Sequence, residues 1–355
     1  MMSRLLSHDL PRSRLLAGLL IAVVIALALA PFLFPGSKAL GAAAKMLVFI
    51  VLVASYDLLL GYTGIVSFAH TMFFGIGAYG VAIASTLLGP GFAAVAAGLS
   101  VALLLSMALS VLIGLFSLRV KAIFFAMITL AVATAFQTLA SQLSDFTGGE
   151  DGLSFKNPTL LSPSFELFDS PVLGLAIDGK VLTYYVLFIA AALLFLLMLR
   201  IVNSPFGRVL QAIRENDFRA EALGIRTVVY RTVSNVLSAA FATVAGALLA
   251  LWLRYTGPDT TLSFEIMLDI LLIVVIGGMG TLYGALLGSV LFVLAQNYLQ
   301  DLLKLGQGAL EGVPVLGALV SPDRWLLWLG VLFVLSVYHF PSGLVGRLRA
   351  GWRVP

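Results

Sequence analysis

The chain has 355 residues, 61% of them apolar and only 11% charged, with no cysteine and 21 Lys and Arg against 17 Asp and Glu. A soluble domain carries about 45–50% apolar and about 25% charged residues, so a single water-facing globule is excluded. Disulfide scaffolds, cysteine-bound zinc modules and thiol redox enzymes are excluded by the missing cysteines, and in a chain this apolar a pI near 9.4 is a question of where the basic residues sit rather than a sign of nucleic-acid binding.

A helix crosses the hydrocarbon layer in roughly 20 apolar residues, and residues 15–34 supply the first such run. Arg4, Arg12 and Arg14 precede it and Ala28-Leu29-Ala30 resembles a signal-peptide cleavage site, but the length of the run and Pro31 behind that site favour a retained first span. Further spans are predicted at 45–60, 66–88, 92–118, 122–142, 181–200, 229–253, 266–277, 284–300 and 325–340. The fold class is therefore all-α, a polytopic membrane bundle of about ten segments in a single transmembrane domain over 1–355.

With a cytoplasmic amino end, the outward pieces hold Lys38, Lys45, Lys156, Lys180, Arg254, Lys304 and Arg324, and the remaining 14 of the 21 basic residues face inward. That two-to-one bias, with an even number of spans, places both termini inside. Loop 143–180 then lies outside, carrying Asp145, Glu150, Asp151, Glu166, Asp169 and Asp178, and loop 201–228 lies inside.

Residues 61–80 (GYTGIVSFAHTMFFGIGAYG) follow the second run and are rich in glycine and hydroxyls. They read either as a broken segment beside a pathway or as an interfacial loop leading into a glycine-packed helix. Gly75-Ile-Gly77-Ala-Tyr-Gly80 spells a dinucleotide fingerprint, but no strand precedes it, so close helix packing is the better reading. Asp57 and His70 flank the stretch, and Asp269 lies within the eighth run; ionisable groups at membrane depth are candidate pathway residues. Thr63, Ser67 and Gln137 are further polar candidates for such a pathway.

Residues 174–181 spell a P-loop up to their last position, where Val181 replaces the hydroxyl residue that holds magnesium, so no nucleotide site is expected there. His8, His70 and His339 are scattered, and no triad, carboxylate pair or metal-ligand spacing supports an enzyme. Loop 201–228 has helix grammar: Ser204 and Pro205 open a first helix to about Arg214, Asn216 or Asp217 caps a second, and Gly224 ends it. Phe206, Val209, Leu210 and Ile213 recur at helical spacing, a stripe suited to a partner's groove or to the membrane surface. The eighth run, about 12 residues, is too short to cross alone and is followed by Gly277-Gly-Met-Gly280, a second interruption. Gly280, Gly284 and Gly288 sit four apart, as on one helix face.

Five stretches in order, 61–80, 147–153 (TGGEDGL), 204–224, 277–284 (GGMGTLYG) and 340–346 (FPSGLVG), resemble the LivM-type permeases of branched-chain amino acid ABC importers, over roughly residues 45–346. Ala69 stands where that family usually has Gly, and Ala285 where it commonly has Pro; the first 40 residues carry no family signal. The resemblance implies a transport subunit rather than an enzyme. It would pair with a second, LivH-type permease, two cytoplasmic ATPase subunits that hold ATP and magnesium, and an extracytoplasmic solute-binding protein, within the lipid bilayer of a bacterial inner membrane. This subunit itself would bind no cofactor and no nucleic acid. It also implies that 201–228 is a coupling loop, with Arg208, Arg214, Glu215, Glu221 and Gly224 docking the ATPases, and that Gly61, Gly64, Gly75, Gly277, Gly280 and Gly284 serve helix packing and breaks. Branched-chain amino acids are the implied solute, with urea, short amides or other amino acids as alternatives. An ion-coupled secondary transporter acting alone is the competing class, and a relay of buried ionisable residues would distinguish it.

Overall fold

The computed structural model of the chain describes residues 13–34, 36–117, 122–166, 177–309, 321–340 and 342–350. The sequence features at Arg4, His8, Arg12, Arg119, Lys121, Asp169, Gly174, Pro341 and Arg353 lie outside the described residues. The described chain is helical almost throughout, as it must be where no water can satisfy backbone N–H and C=O groups. In chain order the helices are α1 (Arg14–Ala28), α2 (Ser37–Thr63), α3 (His70–Leu88), α4 (Phe92–Ser117), α5 (Ala122–Gln142), α6 (Gly179–Val202), α7 (Pro205–Glu215), α8 (Asp217–Ala222), α9 (Thr227–Leu253), α10 (Phe264–Gly277), α11 (Leu282–Ala309), α12 (Trp325–His339) and α13 (Gly343–Ala350).

Among the described residues nine helical segments are long and apolar enough to cross a membrane, so this is a multi-pass membrane protein. The first predicted span differs: α1 has 15 residues and stops at Leu29, where Pro31 starts a separate turn. It is nonetheless tied into the bundle, since Tyr184 and Tyr185 of α6 donate hydroxyl hydrogen bonds to the Leu27 and Ala28 carbonyls at 2.5 and 3.1 Å. The second span begins eight residues earlier than its hydropathy suggests, which draws Lys45 into the helix instead of leaving it at the outer edge. Small residues such as Gly41, Ala42, Ala43 and Ala44 depress local hydropathy while packing well.

At the centre stands α2, apolar on all sides and packed against α6, α9, α10 and α11; α3 lies in turn against α9 and α4. The α3–α9 crossing is close because Gly77 faces the Thr243 carbonyl and Gly246 faces the Phe74 carbonyl, leaving no room for a Cβ at either position. Residues 70–88 thus form unbroken helix through Gly75, Gly77 and Gly80; only 64–69 are irregular. Gly64, in the left-handed region at φ +75°, ends α2: its N–H and that of Ile65 bond the Leu60 and Leu59 carbonyls. Buried hydroxyls and amides join helices across the core, Asn235 to Ser110 at 2.8 Å and Thr243 to Ser106 at 2.7 Å. By contrast α4 and α5 keep rows of exposed apolar side chains such as Val101, Leu104, Ile123 and Met127.

The two ends of the bundle differ. One carries the α7–α8 knob; the other carries a two-stranded antiparallel sheet, β1 (Leu153–Ser154) paired with β2 (Tyr255–Thr256). The 27 residues of α9 run from one end to the other, about 40 Å at 1.5 Å per residue.

Candidate functional site

The knob follows its local grammar. Pro205 opens α7, Asn216 accepts the Arg219 N–H at 3.0 Å as the N-cap of α8, and Gly224 closes it at φ +84°. Ser204 does not cap by its side chain, whose hydroxyl donates instead to the Ile201 carbonyl at 2.6 Å. The apolar stripe expected to meet a partner turns inward: Leu210 and Ile213 are buried, and Phe206 stacks on Tyr230 of α9 at 5.7 Å. A helix this short and amphipathic takes its stability from tertiary burial of its apolar face, so its own bundle claims the stripe first. Glu221 is likewise engaged, accepting from Thr227 Oγ1 at 2.8 Å, and Asp217 pairs with Arg231 at 3.0 Å. What the knob presents outward are Phe218 and Leu223, 86% and 81% exposed, with Arg208 and Glu215 also exposed. Hydropathy of the loop could not single out these two, since only the packing decides which apolar residues are left over.

Beneath the knob three helix ends meet. Asp57 sits one turn before Gly61 on α2, buried at 1% exposure, and its Oδ1 accepts the Gly280 N–H at 2.8 Å. Gly280, at φ +81°, belongs to the turn that precedes α11, so Asp57 acts as a cap supplied from another helix to the positive N-terminal end of α11. The other carboxylate oxygen, Oδ2, has no partner among the described residues. Arg214, at the last turn of α7, donates from Nη1 to the Gly61 carbonyl and attracts the Asp57 carboxylate. A cation is favourable at the C-terminal end of α2 for the same dipole reason that a carboxylate is favourable at the start of α11. Arg214, expected as a docking charge, thus ties the knob to the end of α2 through one guanidinium N–H while its side chain stays exposed like those of Arg208 and Glu215.

The turn is close-packed. Gly61 backs onto Gly280, Gly277 of α10 onto the Gly284 carbonyl of α11, and Gly343 of α13 onto Gly278. Gly280 thus leaves the helix face expected to carry it with Gly284 and Gly288, because the break at 278–281 falls between α10 and α11. Gly75 lies higher, against Leu262. α10 is short, as its apolar run suggests: its 14 residues rise about 21 Å, less than a hydrocarbon layer, and the segment reaches the 20 residues of a crossing only together with the single turn at Pro258–Thr261.

The remaining pathway candidates are placed as follows. His70 and Ser67 are in the packed core, each 2% exposed, and His70 Nε2 sits 2.9 Å from Ser55 Oγ and 3.2 Å from the Leu52 carbonyl. Thr63, also buried, bonds the Leu58 carbonyl and Ser234 Oγ at 3.1 Å each. His70 and Thr63 thus join α2 to its neighbours, whereas Ser67 Oγ accepts the Ala69 N–H at 3.3 Å within the 64–69 turn. Gln137 is half-buried near the end of α5, where its carbonyl accepts from Ser141 Oγ at 3.1 Å. Asp269, half-buried on α10, faces Lys45 of α2, whose Nζ donates to Gln296 Oε1 of α11 at 2.7 Å. In the P-loop-like segment, Gly179, Lys180 and Val181 form the first turn of α6, capped by Asp178 at 2.9 Å, with Lys180 over the Trp252 ring.

Residues 38–337 match the family described as branched-chain amino acid transport system / permease component. Over 320 residues the chain is 28% identical to the high-affinity branched-chain amino acid transport system permease protein LivM of Salmonella typhimurium, covering 86% of this chain and 70% of that one. It is 27% identical to the protein of the same name from Escherichia coli over 317 residues, or 85% and 69% of the two chains. To the probable branched-chain amino acid transport permease protein LivM of Methanocaldococcus jannaschii it is 32% identical over 169 residues, 47% of each. No solved structure matches the chain.

Proposed function

The chain belongs to the branched-chain amino acid transport system permease family, and on that premise we propose that it is the membrane-spanning subunit of an ATP-driven importer of branched-chain amino acids. It forms half of the pathway beside a second, LivH-type permease and takes solute from an extracytoplasmic binding protein. Two cytoplasmic ATPases, which hold ATP and magnesium, drive it. It sits in the bacterial inner membrane with both termini and the α7–α8 knob inside, an orientation supported by the inward bias of Arg and Lys.

One observation carries this reading. The knob exposes Phe218 and Leu223 at its tip while Arg214, at its base, grips the end of α2 and lies beside the broken α10–α11 turn. A protein docked on the tip would therefore move two helix ends that meet at a break, the kind of element that switches access from one side to the other.

Purification of the complex in mild detergent, with mass spectrometry and ATPase assay in nanodiscs, tests it. Two ATPases, a second permease and hydrolysis stimulated by a leucine-loaded binding protein are expected; stimulation by a urea-loaded one instead would reassign the solute. Burial of a large apolar side chain contributes about 1.5–3 kcal/mol, so F218S/L223S should lower ATPase co-purification ~10-fold or more at unchanged yield of the subunit. A lone subunit that moves solute without ATP would replace this reading with the ion-coupled transporter.

A further inference from the structure

Helix α12 is held loosely to the bundle: none of its 15 residues is buried, although Leu329 packs against the core. Between it and its neighbours runs a groove of about 640 Å³, walled by Leu272 and Ile276 of α10, Leu291 and Ala295 of α11, and Leu332 and Leu335 of α12. Among the described residues its lining is apolar except for Ser336 and His339. Leu291, Leu332 and Leu335 are themselves exposed, so the groove opens away from the core, onto the apolar surface of the bundle.

The length of the groove identifies the kind of molecule that fills it. From Leu329 to His339 it follows helix α12 over a rise of about 15 Å, half of a hydrocarbon layer of roughly 30 Å. A partner's transmembrane helix would run through the whole layer, whereas an acyl chain of one leaflet ends where the groove ends. Water would find too few polar partners on these walls.

The mouth of the groove is cationic. Gly343 of α13 backs onto Gly278, which sets this mouth at the knob end of the bundle, level with the α10–α11 break. Arg347 of α13 donates from Nη1 to the His339 carbonyl at 2.9 Å, and its guanidinium lies 5.0 Å over the Phe340 ring. His339 and Phe340 both line the groove, so the cation stands at its entrance, where the unpaired carbonyls ending α12 favour positive charge. A guanidinium has five N–H donors, so the bond to His339 leaves others for a ligand, and no acidic group lies within ion-pair distance of Arg347 among the described residues.

We propose that the groove holds an acyl chain of an anionic phospholipid from the leaflet at the knob end, with the lipid phosphate on Arg347, and that this lipid fastens α12 against α10 beside the break. Hydrocarbon gains little by exchanging lipid neighbours for leucines, so the choice among lipids resides in headgroup charge.

Native mass spectrometry of the full chain in detergent, titrated separately with dioleoyl phosphatidylglycerol and dioleoyl phosphatidylcholine, tests it. The first phosphatidylglycerol should bind ~5-fold more tightly than the first phosphatidylcholine, the ratio expected of one basic residue at the membrane surface. Arg347→Gln should remove that ratio and Arg347→Lys should keep it, while Ala295→Phe, which fills the groove, should weaken both lipids. In phosphatidylcholine nanodiscs, added phosphatidylglycerol should raise the thermal midpoint of the parent and of Arg347→Lys but not of Arg347→Gln or Ala295→Phe; each comparison is made within one protein, so a general loss of stability does not mimic the result. Equal affinity of the parent for the two lipids, a ratio that survives Arg347→Gln, or unaltered binding in Ala295→Phe overturns the proposal. If inorganic phosphate raises the parent's midpoint as the lipid does, Arg347 is an anion contact without an acyl chain and the proposal fails. It fails too if the lipid leaves when the second permease assembles on the chain, since the groove is then a subunit interface. The import reading is tested separately by purification of the complex, and none of these failures carries over to it.

Discussion

Removing the Arg214 side chain should destabilise the knob end of the bundle through a group that is not itself mutated. In Arg214→Ala the Gly61 carbonyl, at the last turn of α2, loses its donor, and the carboxylate of Asp57, 1% exposed, keeps only the Gly280 N–H. A hydrogen bond to a charged group contributes about 1.5–3 kcal/mol and a cation at a helix C-terminus about 0.3–1 kcal/mol. Arg214 is partly solvent-exposed, which screens its attraction, so about 2–3 kcal/mol is the reasonable total. Asp57→Asn keeps an oxygen to accept the Gly280 N–H and removes the charge that needs the cation, so by itself it should cost about 1 kcal/mol or less. In the Arg214→Ala background the same change should help, because a neutral amide is easier to bury than an unneutralised carboxylate. Thermal unfolding in nanodiscs should therefore rank the proteins parent, Asp57→Asn, double variant, Arg214→Ala, from most to least stable. Uptake per ATP hydrolysed should fall in Arg214→Ala and partly return in the double variant. Additive losses within about 0.5 kcal/mol would refute the coupling between the two residues.

Two further outcomes follow from backbone geometry. Gly224 has φ +84° and donates its N–H to the Glu221 carbonyl at 2.9 Å, both impossible for proline; Gly224→Pro should unwind the end of α8 and uncouple hydrolysis from uptake while membrane insertion persists, and unchanged coupled uptake would count against the knob as the transmission element. Gly246→Val places side-chain atoms on the Phe74 carbonyl at the α3–α9 crossing, so the two central helices must separate at a cost of about 1–3 kcal/mol or more; a midpoint within about one degree of the parent's would show that the crossing is looser than described.

Much of the candidate site was legible in the chain alone, in local terms. The end of α7 near Arg214, the cap at Asn216, the glycine stop at 224 and the break after Gly277 each follow from residue types at fixed offsets. The roles assigned to individual side chains were less legible. Arg214 and Glu221 are charged residues in an aqueous loop, and residue type alone does not distinguish a docking charge from an anchor. The distinction lies with Gly61, 153 residues away for Arg214, and with Thr227 for Glu221. His70, Ser67 and Thr63 carry pathway chemistry by residue type, but only the fold shows that all three are buried, with His70 bonded to Ser55 and Leu52, Thr63 to Leu58 and Ser234, and Ser67 to the Ala69 N–H.

The membrane class, the helical fold, the approximate number of spans and the knob's helix boundaries are properties of the sequence by itself. Each depends on sums or offsets over at most some 20 neighbouring residues: hydropathy for the spans, caps and glycines for the ends. Only the tertiary structure decided which face of α7 is buried, that Lys45 donates to Gln296 of α11, and that Asp57 caps a helix beginning beyond Gly280, 223 residues later in the chain. Those contacts depend on which helices lie side by side, and in an apolar solvent the short-range fit of small residues such as Gly77 and Gly246 sets that arrangement, which no running average along the chain records.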